Sequence, residues 1–276
     1  MKLRRWTVAA LPILSACATG GAPGSARALA YGVPAAATVG YLVGDTARVE
    51  LQAAGQSFAL SAAAREGWRM EFTPAGDGLR VTATLVDLDA RLTNPMTPPA
   101  TADESAVTGP VVFTLDRRGK ATVERLPQMT AVVSQFLSGT GVANSFFPRL
   151  PGRAVARGES WVDTVEYTSD EGGAASTTRT VTTYTVAGDS VVDGETLLLV
   201  RSTGTSAQSS AGTIAGTDFD QSVEGTTSGH FLWDLAGGVL HSVAYDSEMS
   251  GSMEVAIAPV ALAVRVLSKV RVRKTP

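Results

Sequence analysis

The stretch Leu79-Arg80-Val81-Thr82-Ala83-Thr84-Leu85 alternates apolar and polar side chains at every step. Alternation with a period of two is typical of a β-strand that has one buried face and one solvated face. The preceding segment, residues 56–72, is also long enough for a strand, and residues 74–78 (Pro-Ala-Gly-Asp-Gly) between them are turn formers. Segments 56–72 and 81–92 are therefore predicted to be antiparallel neighbours in one curved sheet.

Similar patterns recur in the rest of the chain. Segments 161–168, 177–186 and 197–206 are predicted strands. The C-terminal segment has an apolar side, which holds Val260, Leu262, Val264, Val266, Val270 and Val272, and a basic side, which holds Arg265, Lys269, Arg271 and Arg273. The basic side either stays solvated and discourages edge-to-edge pairing or contacts anionic lipid headgroups.

One segment departs from the strand pattern. Its apolar residues fall at helical spacing and are followed by Gly139, which is placed to end a helix. These residues are Met129, Val132, Val133, Phe136 and Leu137. An amphipathic helix among strands is expected to cover the apolar face of a sheet. The predicted fold class is therefore mainly β (α+β): a large curved antiparallel sheet or half-barrel with one covering helix.

An aromatic and proline-rich crossing, Phe146-Phe147-Pro148-Arg149-Leu150-Pro151, follows this segment. Its phenylalanines either fill the core beneath the crossing or line a hydrophobic cavity. The candidate lining residues for an apolar ligand are Phe136, Phe146 and Phe147.

Two Asp-x-x-Gly stretches indicate an internal duplication. Residues 113–119 and 231–237 each match a strand that leads into a turn, in which Asp can bond to the backbone and the fourth-position Gly can adopt a positive φ. An Ala-Gly-Asp turn is predicted upstream of each, at 75–77 and 187–189. Such turns are common in β proteins, so coincidence is the alternative.

The N-terminal sequence Leu14-Ser15-Ala16-Cys17 resembles a bacterial lipobox. It follows a basic start at residues 2–5 and an apolar run at 6–14, which is shorter than a membrane span. The resemblance implies that residues 1–16 are removed and that Cys17, the only cysteine, is lipidated. An ordinary signal peptide with an incidental cysteine is the alternative.

The domain organisation follows from these segments. Residues 18–37 consist mostly of Ala, Gly, Pro and Ser, which predicts a flexible tether. The predicted parts are a signal peptide (1–16), a lipidated N-terminus and tether (17–37) and an antiparallel β domain (38–276). If the duplication is real, halves 38–127 and 152–276 are joined by the helix and the crossing at 128–151.

The second half opens on Arg157-Gly158-Glu159-Ser160-Trp161, which resembles a turn found in several families of uncharacterised bacterial envelope β proteins. With the anchored tether, the long strands and the covering helix, the chain resembles the half-barrel lipoproteins of the LolA, LolB and LppX group. The resemblance implies a concave sheet that encloses an apolar cavity for acyl chains. The chain departs from that group in having one predicted helix where the group has several, which argues against a deep closed cavity.

Charge and cysteine content limit the classes of partner. Removal of residues 1–16 leaves 20 basic and 26 acidic residues, a net charge of −6. This balance argues against nucleic acid as a partner, because duplex binding needs clustered cations. With its one thiol acylated, the chain has no internal disulfide, so packing must stabilise it.

The sequence offers weak candidates for chemistry. His230 and His241 flank the second hairpin, roughly opposite each other, and would need a further ligand such as Asp234 or Asp246 to bind a metal. Ser160 lies outside any Gly-x-Ser-x-Gly elbow. The carboxylate pairs Asp87 with Asp89 and Asp218 with Asp220 are expected to be solvated. We therefore predict no enzyme activity, no cofactor and no metal.

The sequence predicts a non-enzymatic envelope lipoprotein that binds a lipid-like or apolar ligand, or a partner protein, at the membrane surface. Ala18 follows Cys17 where inner-membrane retention would call for Asp, which favours the outer membrane and an orientation towards the periplasm. The alternatives are an interaction module without a pocket and a hydrolase whose site is assembled in space.

Overall fold

The computed structural model describes residues 26–275, except residues 54, 96, 136, 172, 215 and 257–260. Cys17, the lipobox-like segment 14–17 and Phe136 therefore lie outside the described residues.

The described chain consists mostly of strands. Two turns of 3₁₀ helix, Glu104–Ala106 and Val133–Gln135, interrupt them. The elements in chain order are β1 (Arg27–Leu29), β2 (Thr38–Ala53), β3 (Gln56–Ala75), β4 (Gly78–Asn94), β5 (Thr97–Asp103), β6 (Val107–Thr108), β7 (Val111–Leu115), β8 (Ala121–Arg125), β9 (Gln128–Met129), α1 (Gly139–Ser145), β10 (Arg153–Val155), β11 (Ser160–Glu171), β12 (Ala174–Val192), β13 (Glu195–Ile214), β14 (Thr217–Asp234), β15 (Val239–Val255) and β16 (Leu262–Lys274).

Eleven strands form one curled antiparallel sheet in the order β11-β12-β13-β14-β15-β16-β2-β3-β4-β7-β8, and β5 pairs with β4 beside it. Two small pairs, β1 with β10 and β6 with β9, complete the described pairing. The last strand, β16, pairs with the first long strand, β2, so both halves of the chain belong to one half-barrel. The predicted fold class, a curved antiparallel half-barrel with a single helix, is confirmed for the described residues.

The predicted strand patterns are confirmed in detail. Segments 56–72 and 81–92 lie in β3 and β4, which pair antiparallel and close at Ala75 opposite Gly78. In β16, Val264 and Val272 are buried while the basic residues between them are exposed. The prediction that these charges discourage edge-to-edge pairing is wrong, because β16 lies between β15 and β2 in the middle of the sheet.

Glycines on the inner face permit close approach between neighbouring strands. A Cβ atom at Gly225 would overlap the carbonyl oxygen of Glu248, and one at Gly251 would overlap that of Ser222. Any larger residue at these positions would force the strands apart. The absence of side chains here is compatible with a tightly curled β14–β15 ladder.

The hydrophobic core lies at one end of the long strands, on the inner face. Phe147 is at its centre and meets surrounding rings with centroid distances between 5.0 and 6.5 Å, mostly edge to face. These surrounding rings are Tyr31, Tyr41, Phe72, Phe113 and Phe146. The buried tyrosine hydroxyls are satisfied, since Tyr31 donates to the Pro148 carbonyl at 2.7 Å and Tyr41 donates to that of Leu240 at 3.0 Å.

The predicted helix position is wrong. The described residues of this segment, 129–135 and 137, contain the end of β9 and one 3₁₀ turn, and the α-helix begins at Gly139, where the predicted helix was to end. Ser138 explains this start, because its hydroxyl accepts a hydrogen bond from the Gly141 N–H at 3.0 Å and so caps the helix. The sequence pattern located the covering segment but not its helical part.

We call residues 130–135 and 137–152 the plug segment, because they fill the gap between the two edge strands, β8 and β11. Helix α1 packs against β7, β8 and β11. Glu171, the last residue of β11, accepts hydrogen bonds from the N–H groups of Gly139 at 2.8 Å and Thr140 at 3.1 Å. The first turn of α1 is thereby attached to the edge of the sheet.

The other end of the plug segment is attached to β11 as well. The indole N–H of Trp161 donates to the carbonyl oxygen of Arg149 at 3.0 Å. Directly beside it, Arg118 from the β7–β8 turn forms an ion pair with Asp163 on β11. The two edges of the curled sheet are therefore joined through the plug segment and this ion pair.

The predicted tether, residues 18–37, overlaps the start of the folded domain. Strand β1 (Arg27–Leu29) pairs with β10 (Arg153–Val155), and Leu29 and Tyr31 are buried in the core. These two side chains supply the apolar burial that the small residues around them lack. The described residues from 27 onward thus belong to the folded domain.

The repeated turns are only partly alike. Asp116 accepts backbone hydrogen bonds from residues two and four positions on, and Asp234 accepts them from residues two and three positions on. The positive φ falls on Gly119 in the first turn but on Gly238, one residue later than expected, in the second. The predicted turn at 187–189 is wrong, because it is a bulge within β12.

We predict that Glu171→Ala lowers the free energy of unfolding by about 1 to 2 kcal/mol, because two helix N–H groups lose their acceptor. Urea unfolding measures the change. Glu166→Ala, an exposed glutamate on the same strand, is the matched control and should change stability by less than about 0.5 kcal/mol. Equal losses in the two variants would contradict the attachment.

The effect of Glu171→Ala should also depend on pH. Burial opposes ionisation of Glu171, but hydrogen bonds from Thr140, Gly139, Ser169 and Ser138 outweigh it and lower the pKa of the carboxyl group. Because the folded-state pKa lies below the ordinary value of 4.5, the contribution is present above that pH and is lost as pH falls through the folded-state pKa. The wild type and the variant should therefore converge in acid.

Candidate functional site

The concave face of the half-barrel is the candidate site. Side chains that are paired across neighbouring strands point to the same face, and every second residue along a strand shares it. The buried pair Tyr41 and Trp68 marks the inward face of β2 and β3. Along the strands, away from Tyr41 and Trp68, the inward face holds first the aromatic core, then a cavity, and then apolar side chains.

The cavity lies beneath the plug segment and has a volume of about 180 Å³. Small hydroxyl side chains form much of its wall, and some are bonded to each other, as in Thr180 with Ser206 at 3.0 Å and Ser247 with Ser268 at 2.7 Å. A drug-sized ligand usually occupies about 300 to 1,000 Å³, so this space suits a small polar group. The lining residues are Asn144, Ser145, Phe147, Pro148, Arg149, Val165, Thr180, Thr182, Tyr184, Ser202, Ser206, Thr227, Tyr245, Ser247, Ser268 and Val270.

Two buried polar groups in the lining are not fully satisfied. Arg149 is 4% exposed, its guanidinium donates to the Gly119 carbonyl, and its Nε has no hydrogen-bond partner among the described residues. Burial lowers the pKa of Arg149, and the carboxylate of Asp163 opposes this. Ser202 is 3% exposed, and its Oγ likewise has no described partner. Unsatisfied buried donors are costly, so these groups favour a polar ligand atom or water nearby.

Beyond the cavity the inner face becomes apolar. We define the apolar strip as Val49, Leu51, Phe58, Leu60, Met249, Val264 and Val266, which occupy two adjacent rows of the register. None of them belongs to the aromatic core cluster of the described chain. All but Val264 are half-buried or exposed, and Phe58 is 37% exposed.

The cavity and the apolar strip are continuous. Thr180 and Ser206 in the cavity wall share one row of the register with Met249 and Val266 of the apolar strip, with Gly225 between the two groups. Because Gly225 has no side chain, it places no barrier between them. The concave face therefore offers a polar pocket that leads onto an apolar surface.

A buried carboxyl group lies on the same face, nearer to the core. Glu66 is 5% exposed and accepts a hydrogen bond from the Trp68 indole N–H at 2.6 Å. Burial raises the pKa of Glu66 to about 7, the Trp68 hydrogen bond opposes the rise, and the charge of Asp45 adds to it. Glu66 can thus bind a proton near neutral pH, but its low exposure keeps it from direct contact with a substrate.

Among the described residues, only one of the three predicted lining residues for an apolar ligand is found in the wall of the cavity. Phe146 packs against Tyr41 in the core at a centroid distance of 5.1 Å. Phe147 is a core residue that also lines the cavity. Phe136 and the predicted lipidation site Cys17 lie outside the described residues.

The candidate catalytic and metal residues are not brought together. His230 is exposed and lies opposite Ala244, while His241 occupies a bulge in β15, so their expected opposition is wrong. The hydroxyl of Ser160 lies 2.8 Å from that of Thr185 on the exposed surface. Within the described part of the chain, no group of three or more His, Cys, Asp or Glu residues could hold a metal ion. The four aspartates of the candidate pairs, Asp87, Asp89, Asp218 and Asp220, are exposed.

Sequence reasoning missed Arg149, Ser202 and Glu66 as site residues. A signal existed for two of them. Glu66 falls in phase with the apolar residues Trp68 and Met70, and Arg149 stands inside an aromatic and proline-rich stretch. A charged residue in an apolar pattern indicates a buried charge. Ser202 carries no such signal, because β13 is rich in serine and threonine throughout.

Comparisons with known proteins give no family. No protein-family model matches the sequence, and no curated protein has a significantly similar sequence. Among the described residues, no helix is both long and apolar enough to cross a membrane.

The solved structures that the chain resembles are remote. They include Neisserial surface protein A (8% identity, TM-score 0.25, 85% of this chain and 96% of the other covered) and the β domain of the Bordetella autotransporter BrkA (11%, 0.29, 87% and 100%). Pseudomonas aeruginosa OccK7 is a third (8%, 0.23, 87% and 99%). Similarity at this level establishes neither a shared fold nor a shared function.

We predict that Glu66→Gln stabilises the protein at pH 8 by up to about 3 kcal/mol. The folded-state pKa of Glu66, about 7, lies above its ordinary value of 4.5, so the folded chain holds a proton that the unfolded chain loses between these pH values. The wild type should therefore lose stability as pH rises from 4.5 to 7, relative to the glutamine variant.

Urea unfolding at pH 5, 6, 7 and 8 measures this difference. Glu71→Gln is the matched control, since Glu71 lies on the same strand but is exposed. A stability difference between wild type and Glu66→Gln that stays constant over this pH range would contradict the buried carboxyl group.

Proposed function

We propose that this protein is a non-enzymatic envelope lipoprotein, anchored through Cys17, that holds a lipid-like ligand on the concave face of its half-barrel. The observation that carries the proposal is the apolar strip next to the cavity, on the face that a folded domain would be expected to bury. A contiguous apolar patch that is left partly exposed commonly marks a binding surface.

The dimensions of the elements explain why this surface is left uncovered. Helix α1 has seven residues and is about 10 Å long. Strands β2 and β3 have 16 and 20 residues, which correspond to about 50 to 65 Å. The plug segment can therefore cover only part of the inner face, and the apolar strip lies outside the part that it covers.

The two chemical environments support an amphiphile as the ligand. An acyl chain would lie along the apolar strip, where removal of CH₂ groups from water is worth about 0.8 kcal/mol each. A polar group would enter the hydroxyl-lined cavity, where Arg149 and Ser202 have unused hydrogen-bonding capacity. The cavity alone is too small for a whole lipid, so the proposal needs both regions.

The sequence supports an envelope location through its lipobox-like segment, residues 14–17. Lipidation at Cys17 would keep the domain close to a supply of lipids. Outer-membrane anchoring facing the periplasm, inferred from Ala18, is part of the same proposal.

We predict that the double variant Val49→Thr, Val266→Thr binds a fluorescent fatty acid about tenfold more weakly than the wild type. Threonine keeps the shape of valine but places a hydroxyl group against the acyl chain without a partner. Val162→Thr is the matched control, because Val162 is 58% exposed and lies on the outer face of edge strand β11. Fluorescence titration measures the affinity, and equal binding by all three proteins would contradict the site.

Native mass spectrometry of the protein extracted from its own membrane provides the second test. A bound lipid is expected with the wild type and should be depleted in the double variant. If no lipid is found and crosslinking in cells instead gives a reproducible protein partner, the chain is an interaction module and the ligand proposal is wrong.

A further inference from the structure

The convex face of the sheet has an uneven charge distribution. On the four neighbouring strands β16, β2, β3 and β4, outward-facing basic residues outnumber outward-facing acidic ones. The basic residues are Arg48, Arg65, Arg69, Arg80, Arg91, Arg265, Lys269, Arg271 and Arg273, and the acidic residues are Glu50, Glu71, Asp87 and Asp89. The next strands, β14 and β15, are acidic on the same face, so the positive region is confined to the centre of the sheet.

A groove of about 580 Å³ lies within this positive region. We call it the convex groove. Its floor consists of the small residues Gly44, Thr46 and Ala63 on β2 and β3. Its cations are Arg65 on β3, Arg91 on β4, and Lys269 and Arg271 on β16.

The register places the cations on both sides of the floor. Gly44 lies directly between Arg271 and Arg65, in one row across β16, β2 and β3. Since strands are about 4.8 Å apart, each of these arginines is one strand spacing from Gly44. A Cβ atom at Gly44 would meet no other atom within 4 Å, so the space above it is open. Both arginines line the groove, and an anion the size of a phosphate can lie above Gly44 next to Arg65, while the Arg271 guanidinium is bonded to Asp246 and the Tyr245 carbonyl on β15.

Most of these cations are not neutralised inside the protein. Arg65, Arg91 and Lys269 form no ion pair with any described residue, whereas Arg271 pairs with Asp246 at 2.7 Å. Two acidic residues line the groove: Asp89 faces Arg65 across the β3–β4 ladder, and Asp45 belongs to the lining although the register places its side chain on the concave face. Three unpaired cations therefore remain available to an external anion.

The position of the groove suits a flat, extended partner. Strands β16 and β2 are sixth and seventh of the eleven strands, so the groove lies along the ridge of the convex surface. The ridge of a convex surface is the part that touches a plane. Bilayers that contain anionic lipids attract clustered Lys and Arg residues at their surface.

We propose that the convex groove docks this domain on the phosphate groups of an anionic phospholipid surface. The docking goes beyond the ligand proposal, because it uses the opposite face of the sheet and needs neither the apolar strip nor Cys17. A domain docked in this way would keep its concave face turned away from the bilayer to which the groove is bound.

Vesicle flotation tests the docking with the chain from residue 18 onward, which keeps every described element and lacks the apolar N-terminus. Vesicles of phosphatidylcholine with 30% phosphatidylglycerol should bind the protein, and vesicles of phosphatidylcholine alone should not. The triple variant Arg65→Gln, Arg91→Gln, Lys269→Gln should bind about a hundredfold more weakly, since each cation contributes roughly fivefold. Binding should also weaken at 0.5 M salt, because the Debye length there is only about 4 Å and the charges are screened.

Two further variants make the test specific to the groove. Gly44→Glu places a carboxylate between Arg65 and Arg271 and should weaken binding as much as the triple variant does. Arg201→Gln removes an exposed arginine from the outward face of β13, away from the groove, and should leave binding unchanged. Circular dichroism and thermal unfolding confirm that each variant is folded.

Three results would overturn the proposal. Equal binding to both kinds of vesicle would remove the role of anionic lipid. An unchanged triple variant, or an equal loss in Arg201→Gln, would remove the role of the groove. Calorimetric binding of inorganic phosphate or glycerol phosphate without binding to anionic vesicles would make the groove a site for a free phosphate compound.

Discussion

Closure of the gap between β8 and β11 is the constraint on which the rest of this structure depends. A curled sheet that stops short of a full barrel leaves two unpaired edges and one apolar face to be covered. The plug segment meets both needs, since α1 packs between the edge strands while Phe146 and Phe147 enter the core. Glu171 and the Arg118 to Asp163 ion pair hold the closure in place.

The same constraint leaves the concave face divided. A short plug beside long strands buries the aromatic end and leaves the apolar strip outside the core. Between them lie small serines and threonines that leave space beneath the plug segment. The site is therefore a consequence of how the sheet is closed, and no cluster of reactive side chains is needed to define it.

Much of the strand framework could be predicted, because alternation is a local property that one strand displays without its neighbours. The β3–β4 pair and the two faces of β16 are examples. The helix begins later than predicted, because the Ser138 hydroxyl caps α1. Glu171, which is 32 residues downstream of Gly139, also accepts a hydrogen bond from the first turn of the helix. Burial of Leu29 and Tyr31 was missed because their partners, β10 and the plug segment, are distant in sequence.

Period-two patterns over most of the chain establish the class of fold, because they allow little other than a large antiparallel sheet. Alternation also identified the apolar face of strands such as β4 and β16. The positions of the cavity, the apolar strip and the convex groove depend on the tertiary structure. Each of them is assembled from strands that are far apart in the chain, as when β16 brings Arg271 beside Gly44 on β2. Register across such pairs depends on the whole sheet, because each strand's position is set by both of its neighbours.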